Sequence, residues 1–146
     1  MSRVERHRQV RDRIIQLLKQ EQFRPFKAGD VRYEDFTEVK PSIGVVLSPM
    51  QESEGIGTNL QDDIRFTFKL TYSVNRTIPQ GGLEDKSYFR NRVFEIFHRK
   101  RIGGITNELV TVVRHGDFTS TPKIRKHKLD STYLLISVSV RESRDN

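Results

Sequence analysis

From Ile64 to Val74 the chain alternates without a break. Ile64, Phe66, Phe68, Leu70, Tyr72 and Val74 fall on one side, and Arg65, Thr67, Lys69, Thr71 and Ser73 on the other. A two-residue period held this long is a β-strand with one apolar face and one polar face. Such a strand requires a sheet that is covered on one side and meets water or a polar partner on the other. The end of the chain repeats the pattern over 131–141: Leu134, Ile136, Val138 and Val140 share one face, with Ser137, Ser139 and Arg141 opposite.

The other segments arrange themselves around these two strands. Residues 3–20 predict a helix, because Val10, Ile14, Leu17 and Leu18 recur at helical spacing and Val4 extends the stripe one turn earlier. Val31 to Phe36 alternates apolar and charged residues and predicts a short first strand. Pro41 confines the residues after it to an edge or a turn. Ile43 to Leu47 reads as a second strand, ended by Ser48 and Pro49. Residues 48–62 are polar and glycine-containing and read as a long loop, a kind that is usually functional or mobile.

Pro79-Gln80-Gly81-Gly82 breaks the chain before a second helix over 84–100. Phe89, Val93, Ile96 and Phe97 form its stripe, Phe94 lies beside it, and Gly103-Gly104 is the expected stop. A fourth strand is expected over 106–114 from Leu109, Val110, Val112 and Val113, followed by a loop with Gly116 and Pro122. The order predicts an α+β fold: a twisted, mostly antiparallel sheet of about five strands with two helices packed on its apolar face. Residues 1–146 read as a single domain, with 1–2 and 142–146 frayed.

Composition limits the function classes. Hydrophobic residues make up 34% and charged residues 31%, so the core is lean and help from partner subunits is expected. Cysteine is absent, which removes disulfide frameworks, thiol nucleophiles and thiolate metal sites together. The start of the chain is charged and amphipathic, unlike a secretion signal. No apolar run approaches the ~18–20 residues that span a bilayer. The expectation is a soluble protein, made and used in a cytoplasm, with no membrane contact.

The net charge of +7 is unevenly distributed. Residues 1–20 carry Arg3, Arg6, Arg8, Arg11, Arg13 and Lys19 against Glu5 and Asp12. Residues 90–101 carry Arg90, Arg92, Arg99, Lys100 and Arg101 against Glu95, and residues 123–128 carry Lys123, Arg125, Lys126 and Lys128. Acidic residues gather at Asp30, Glu34, Asp35 and Glu38, and again at Glu52, Glu54, Asp62 and Asp63. Separated patches of opposite sign let a chain dock head to side with its own copies, which suits a ring. The plainer account is a set of solvated faces. A third reading is duplex DNA held by the basic segments.

Catalytic motifs are weak by comparison. His115-Gly116-Asp117 could hold a metal, but His7, His98, His115 and His127 lack zinc-ligand spacing, and a turn in which Gly116 permits the bend accounts better for it. Gly55-Ile56-Gly57 has no lysine and serine or threonine after it and is not a phosphate-binding loop. Asp30 with Glu38-Val39-Lys40 has the residue types of a magnesium-dependent nuclease, but Pro41 interrupts the strand that such a site needs. Sheet-face RNA recognition needs exposed aromatics, and the polar face of 64–74 has Arg65 and Lys69 but none; the last strand offers only Tyr133. No metal, cofactor or catalytic residue is expected.

The element order resembles that of the tail terminator and tail-completion proteins of long-tailed bacteriophages: an amphipathic helix, the short Ile43–Leu47 strand, a long loop, a long alternating strand, an aromatic-rich helix and two closing strands. The resemblance covers nearly the whole chain and rests on pattern, because that family has no sharp motif. It implies a structural subunit of a virion tail or neck, assembled in the host cytoplasm. Six copies would commonly form the ring, which caps the last ring of tail tube protein, ends tube growth and meets the head connector or neck protein, with DNA passing through the lumen. It also implies that loop 48–62 reaches a neighbour and that Arg65 and Lys69 line an interface. With the charged patches, the candidate interface residues are Arg6, Arg13, Glu52, Glu54, Asp62, Asp63, Arg65, Lys69, Arg99, Lys100, Arg101, Arg125 and Lys126.

Overall fold

The structure, a computed structural model, describes residues 2–21, 23, 26–35, 43–56, 61–75, 83–116 and 129–143. The fold is α+β. Helix α1 (Arg3–Lys19) leads to a single 3-10 turn and strand β1 (Val31–Tyr33). Strands β2 (Gly44–Ile56) and β3 (Gln61–Asn75) follow, then helix α2 (Leu83–Phe97) and strands β4 (Val112–His115) and β5 (Leu129–Ser143). The strands form one sheet in the order β1-β2-β3-β5-β4. Among these described strands only β1 and β2 run parallel; every other pair is antiparallel.

Both helices lie on the same face of the sheet. His7 of α1 packs on Phe66 and Phe68, and Phe89 of α2 stacks on Tyr72 with ring centroids 4.8 Å apart. All three sheet residues belong to the even-numbered side of β3. The core is therefore one-sided: Val10, Ile14 and Leu18 of α1 and Phe89, Val93 and Phe97 of α2 close over β3 and β5 and are fully buried.

Helix α1 starts at a capping box. Ser2 accepts from the Glu5 amide and Glu5 accepts from the Ser2 amide, which satisfies donors that the first turn leaves unpaired. Ser2 thus has a structural role rather than fraying. The same holds for Glu142, which lies on β5 and pairs with Arg6 at 3.0 Å. The buried stripe runs Arg6, Val10, Ile14, Leu18. Val4, expected on that stripe, is 68% exposed, because the strict four-residue step puts Arg6 in its place.

His7 sits between the helix and the sheet, and its burial pushes its pKa below the ordinary 6.5, with Glu52 opposing. The unfolded chain takes up this proton first as pH falls. The contribution is therefore complete above about pH 6.5 and is lost as pH drops from there through the folded value. We expect the His7→Gln variant to show a flatter stability profile between about pH 5 and 7. Identical profiles in urea titrations would remove this assignment.

Three expectations need correction. Residues 48–62 are not a loop for most of their length: Ser48–Ile56 and Gln61–Asp62 are the paired arms of a long β2–β3 hairpin. Polar residues hid this arm, and so did a bulge between Pro49 and Gln51, where the missing proline donor is tolerated. The expected strand 106–114 shrinks to Val112–His115. Asn107 has a φ of 60°, and the Glu108 carboxylate accepts from the amides of Ile102 and Gly103, so this stretch turns and meets β5 through an isolated bridge, Glu108 to Val140, instead of a continuous strand. Helix α2 ends at Phe97 rather than at Lys100, because Arg99 takes a left-handed φ of 58° and its amide bonds to Thr111. Elsewhere the first strand spans Val31–Tyr33, while Phe36, the 79–82 break and Pro122 lie outside the described residues.

Two glycines are required for reasons of space. Gly44 has a φ of +131°, and a Cβ there would lie 2.8 Å from the Asp30 carbonyl oxygen. At Gly116 a Cβ would lie 2.1 Å from the Tyr133 ring. Its backbone is not left-handed, so the ring covering it accounts for this glycine, while the turn expected at 115–117 runs into residues outside those described.

Candidate interaction surface

The face of the sheet away from the helices carries no other described element. Its rows read across the strands. Ser53, Arg65 and Ser139 form one row, and Gln51, Thr67 and Ser137 form the next. Thr67 and Ser137 share a hydrogen bond of 2.9 Å, as Ser73 and Ser131 do at 2.8 Å. Hydroxyl side chains thus satisfy one another in the middle of the face. Lys69 lies over the Tyr133 ring, 4.4 Å from its centre, in a cation–π contact.

At one end of this face the rows open into a cleft of about 610 Å³. Its floor is Ser53, Gly55, Asp63, Arg65 and Ser139. Leu109 and Val110 form one wall, because the Leu109 amide donates to the Ser139 carbonyl and continues the sheet past β5. Arg101 and Glu54 stand at the rim. Val110 is 48% exposed. Four of the sequence-derived candidates, Glu54, Asp63, Arg65 and Arg101, therefore meet in one place.

The two acids in the cleft are already engaged. Asp63 accepts from Nε of Arg141 at 2.8 Å, which holds its carboxyl below the usual range. Glu54 accepts from Arg3, whose pKa is raised by that hydrogen bond and by the charges of Glu54 and Glu52. Arg65 and Arg101 have no hydrogen-bond or ion-pair partner among the described residues. Both are exposed.

The remaining candidates lie elsewhere. Arg6 is 7% exposed; it pairs with Glu142 and donates to Gln9 and to the Thr106 carbonyl. Arg13 donates to the carbonyls of Ile102 and Gly103 and so ties α1 to the 102–105 turn. Glu52 joins Glu54 around Arg3, at 3.6 Å. Asp62 stands on β3 opposite Ile56 and Glu142. Lys100 donates to the Glu95 carbonyl, and its segment bridges Thr111 at the sheet edge beyond β5. Arg125 and Lys126 lie outside the described residues, as do Glu38, Lys40 and Asp117. Of the basic N-terminal helix, Arg3, Arg6, Arg11 and Arg13 all bond within the chain. A helix face offered to DNA phosphates is weakened accordingly.

Sequence reading missed Ser53, Ser139, Leu109 and Val110 as neighbours of Arg65. The alternating pattern did carry the signal that Arg65 and Ser139 face the same way; pairing order supplied the rest. A further cluster lies at the other end of the sheet. Buried Arg90 donates to Thr132 and the Tyr133 carbonyl and meets Nδ1 of His115, whose ring stacks on Phe94 at 4.6 Å. Among the described residues, no three histidine, aspartate or glutamate side chains gather as a metal site, and no helix is long and apolar enough to cross a membrane. No protein-family model matches the chain, and no curated protein matches it significantly.

Proposed function

We propose that the chain is a structural subunit that closes into a ring with copies of itself and, in that form, ends the tail tube of a long-tailed bacteriophage and joins it to the head connector. The observation that carries the reading is the charge at the two sheet edges. Around β1 at one edge the acids Asp30, Glu34 and Asp35 outnumber the cations Lys27 and Arg32, and Asp30 and Asp35 are exposed, accepting from the Lys27 amide and the Tyr33 hydroxyl. Arg99, Lys100 and Arg114 stand exposed at the other, where the carboxylate of nearby Glu108 is taken up by the Ile102 and Gly103 amides. Opposite edges of opposite sign give a head-to-tail contact, and such contacts form a ring when the rotation from copy to copy closes. Support also comes from β2, whose outer side past Leu47 pairs with no strand among the described residues and is a candidate edge for a neighbour. The tail assignment itself rests on the resemblance in element order.

The test is mass in solution by light scattering, with negative-stain images, for the chain alone and mixed with tail tube protein. Rings of about six subunits with a central hole, and tubes shortened in their presence, are expected. A monomer that leaves tube length unchanged overturns the reading. The Lys100→Glu/Arg114→Glu variant should keep the wild-type circular dichroism and lose most ring formation, because it turns an attractive edge contact into a repulsive one.

A further inference from the structure

We propose that the cleft on the open sheet face binds a carboxylate carried on an extended polypeptide segment of a partner, with Arg65 and Arg101 as its two cationic sides. The charge balance inside the cleft carries the argument. Asp63 is held by Arg141 and Glu54 by Arg3, so neither acid serves the two remaining guanidinium groups. Arg65 rises between Ser53 and Ser139, the small side chains of its own row. These small neighbours leave room for the planar fork, which is suited to a two-point grip on a carboxylate.

The surroundings select among anions. The Asp63 carboxylate disfavours a densely charged phosphate chain, which would face it from the floor. A single carboxylate on an apolar stem meets less repulsion and lays its stem against Leu109 and Val110. The floor lets a backbone come close. A Cβ added at Gly55 would find nothing nearer than the Asp63 carbonyl oxygen at 4.0 Å, and the serine hydroxyls can bond to peptide groups. A volume of about 610 Å³ suits a few residues of extended chain rather than a helix. The proposal does not depend on ring formation, since it uses neither Lys100 nor Arg114.

The experiment uses the full chain labelled with nitrogen-15 and follows its amide signals during titration. The probe is the capped tripeptide acetyl-Leu-Glu-Val-amide. Its controls are the same peptide with glutamine, inorganic phosphate and a short DNA duplex. Shifts centred on Ser53, Gly55, Arg65, Val110 and Ser139 are expected with the glutamate peptide alone. Arg65→Ala and Arg101→Ala should each weaken binding roughly tenfold or more. Arg65→Lys should recover only part of it, and Lys100→Glu/Arg114→Glu should leave it unchanged. Absence of cleft shifts up to about 10 mM peptide overturns the proposal. So does equal binding of the glutamine peptide, tighter binding of phosphate or duplex at these residues, or full affinity in Arg65→Ala.

Discussion

Phe89→Ala is expected to lower the unfolding free energy by about 3–5 kcal/mol, more than any other single truncation on α2. Phe89 is fully buried and stacks on Tyr72. It also meets Phe23 edge-on at 5.1 Å, and Tyr72 in turn touches Phe26. These four rings join α2, the segment after α1 and the middle strand of the sheet. Truncation removes the shared partner and leaves a cavity between layers that α1 and β3 cannot both close. A domain of this size has about 5–15 kcal/mol to lose, so the variant should stand near its unfolding limit at 37 °C. Urea denaturation followed by circular dichroism measures the loss. A change under about 1 kcal/mol would mean that α2 does not dock through this ring.

Arg6→Ala should cost about 2–3 kcal/mol, below the range for a fully buried ion pair because Glu142 keeps some contact with water. The guanidinium holds three groups together: the Glu142 carboxylate on β5, Gln9 one turn along its own helix, and the Thr106 carbonyl. Removing it strands a half-buried carboxylate and a carbonyl in one step. The double variant Arg6→Met/Glu142→Gln should recover more than half of that loss, since no uncompensated charge remains. Additive losses in the double-mutant cycle would show that the two residues stabilise the fold separately.

How far the sequence reveals this fold depends on how burial writes itself into the chain. Strands β3 and β5 are legible because each has one apolar and one polar face, and period two records that division residue by residue. The distal arm of β2 leaves no such record. Gln51, Glu52, Ser53 and Glu54 are polar on both sides, and its inward-facing acids are matched by Arg3 rather than by apolar contacts. Arg6 was hidden for a related reason: a cation on the helix stripe reads as surface until its acceptors, which lie far along the chain, are known. The cleft depends on neighbours separated by tens of residues. Arg65 and Ser139 can be assigned to polar faces from the pattern alone, but only the order β3-β5 and the turn at 106–110 put Leu109, Val110 and Arg101 beside them.

The bulge at Met50 has a consequence for how this sheet can change length. Before it, the odd-numbered residues Val45 and Leu47 point toward the helices; after it, the even-numbered Glu52 and Glu54 do. The strand thus carries a half-period phase slip, with the surplus residue 49% exposed. Losing one residue elsewhere in β2 would turn the side chains between that point and the bulge onto the wrong face. Losing it at Met50 would merely cancel the slip and leave both arms in phase. The hairpin therefore has a splice point, a position where evolution or an engineer can shorten the arm by one residue while every remaining side chain keeps its neighbours.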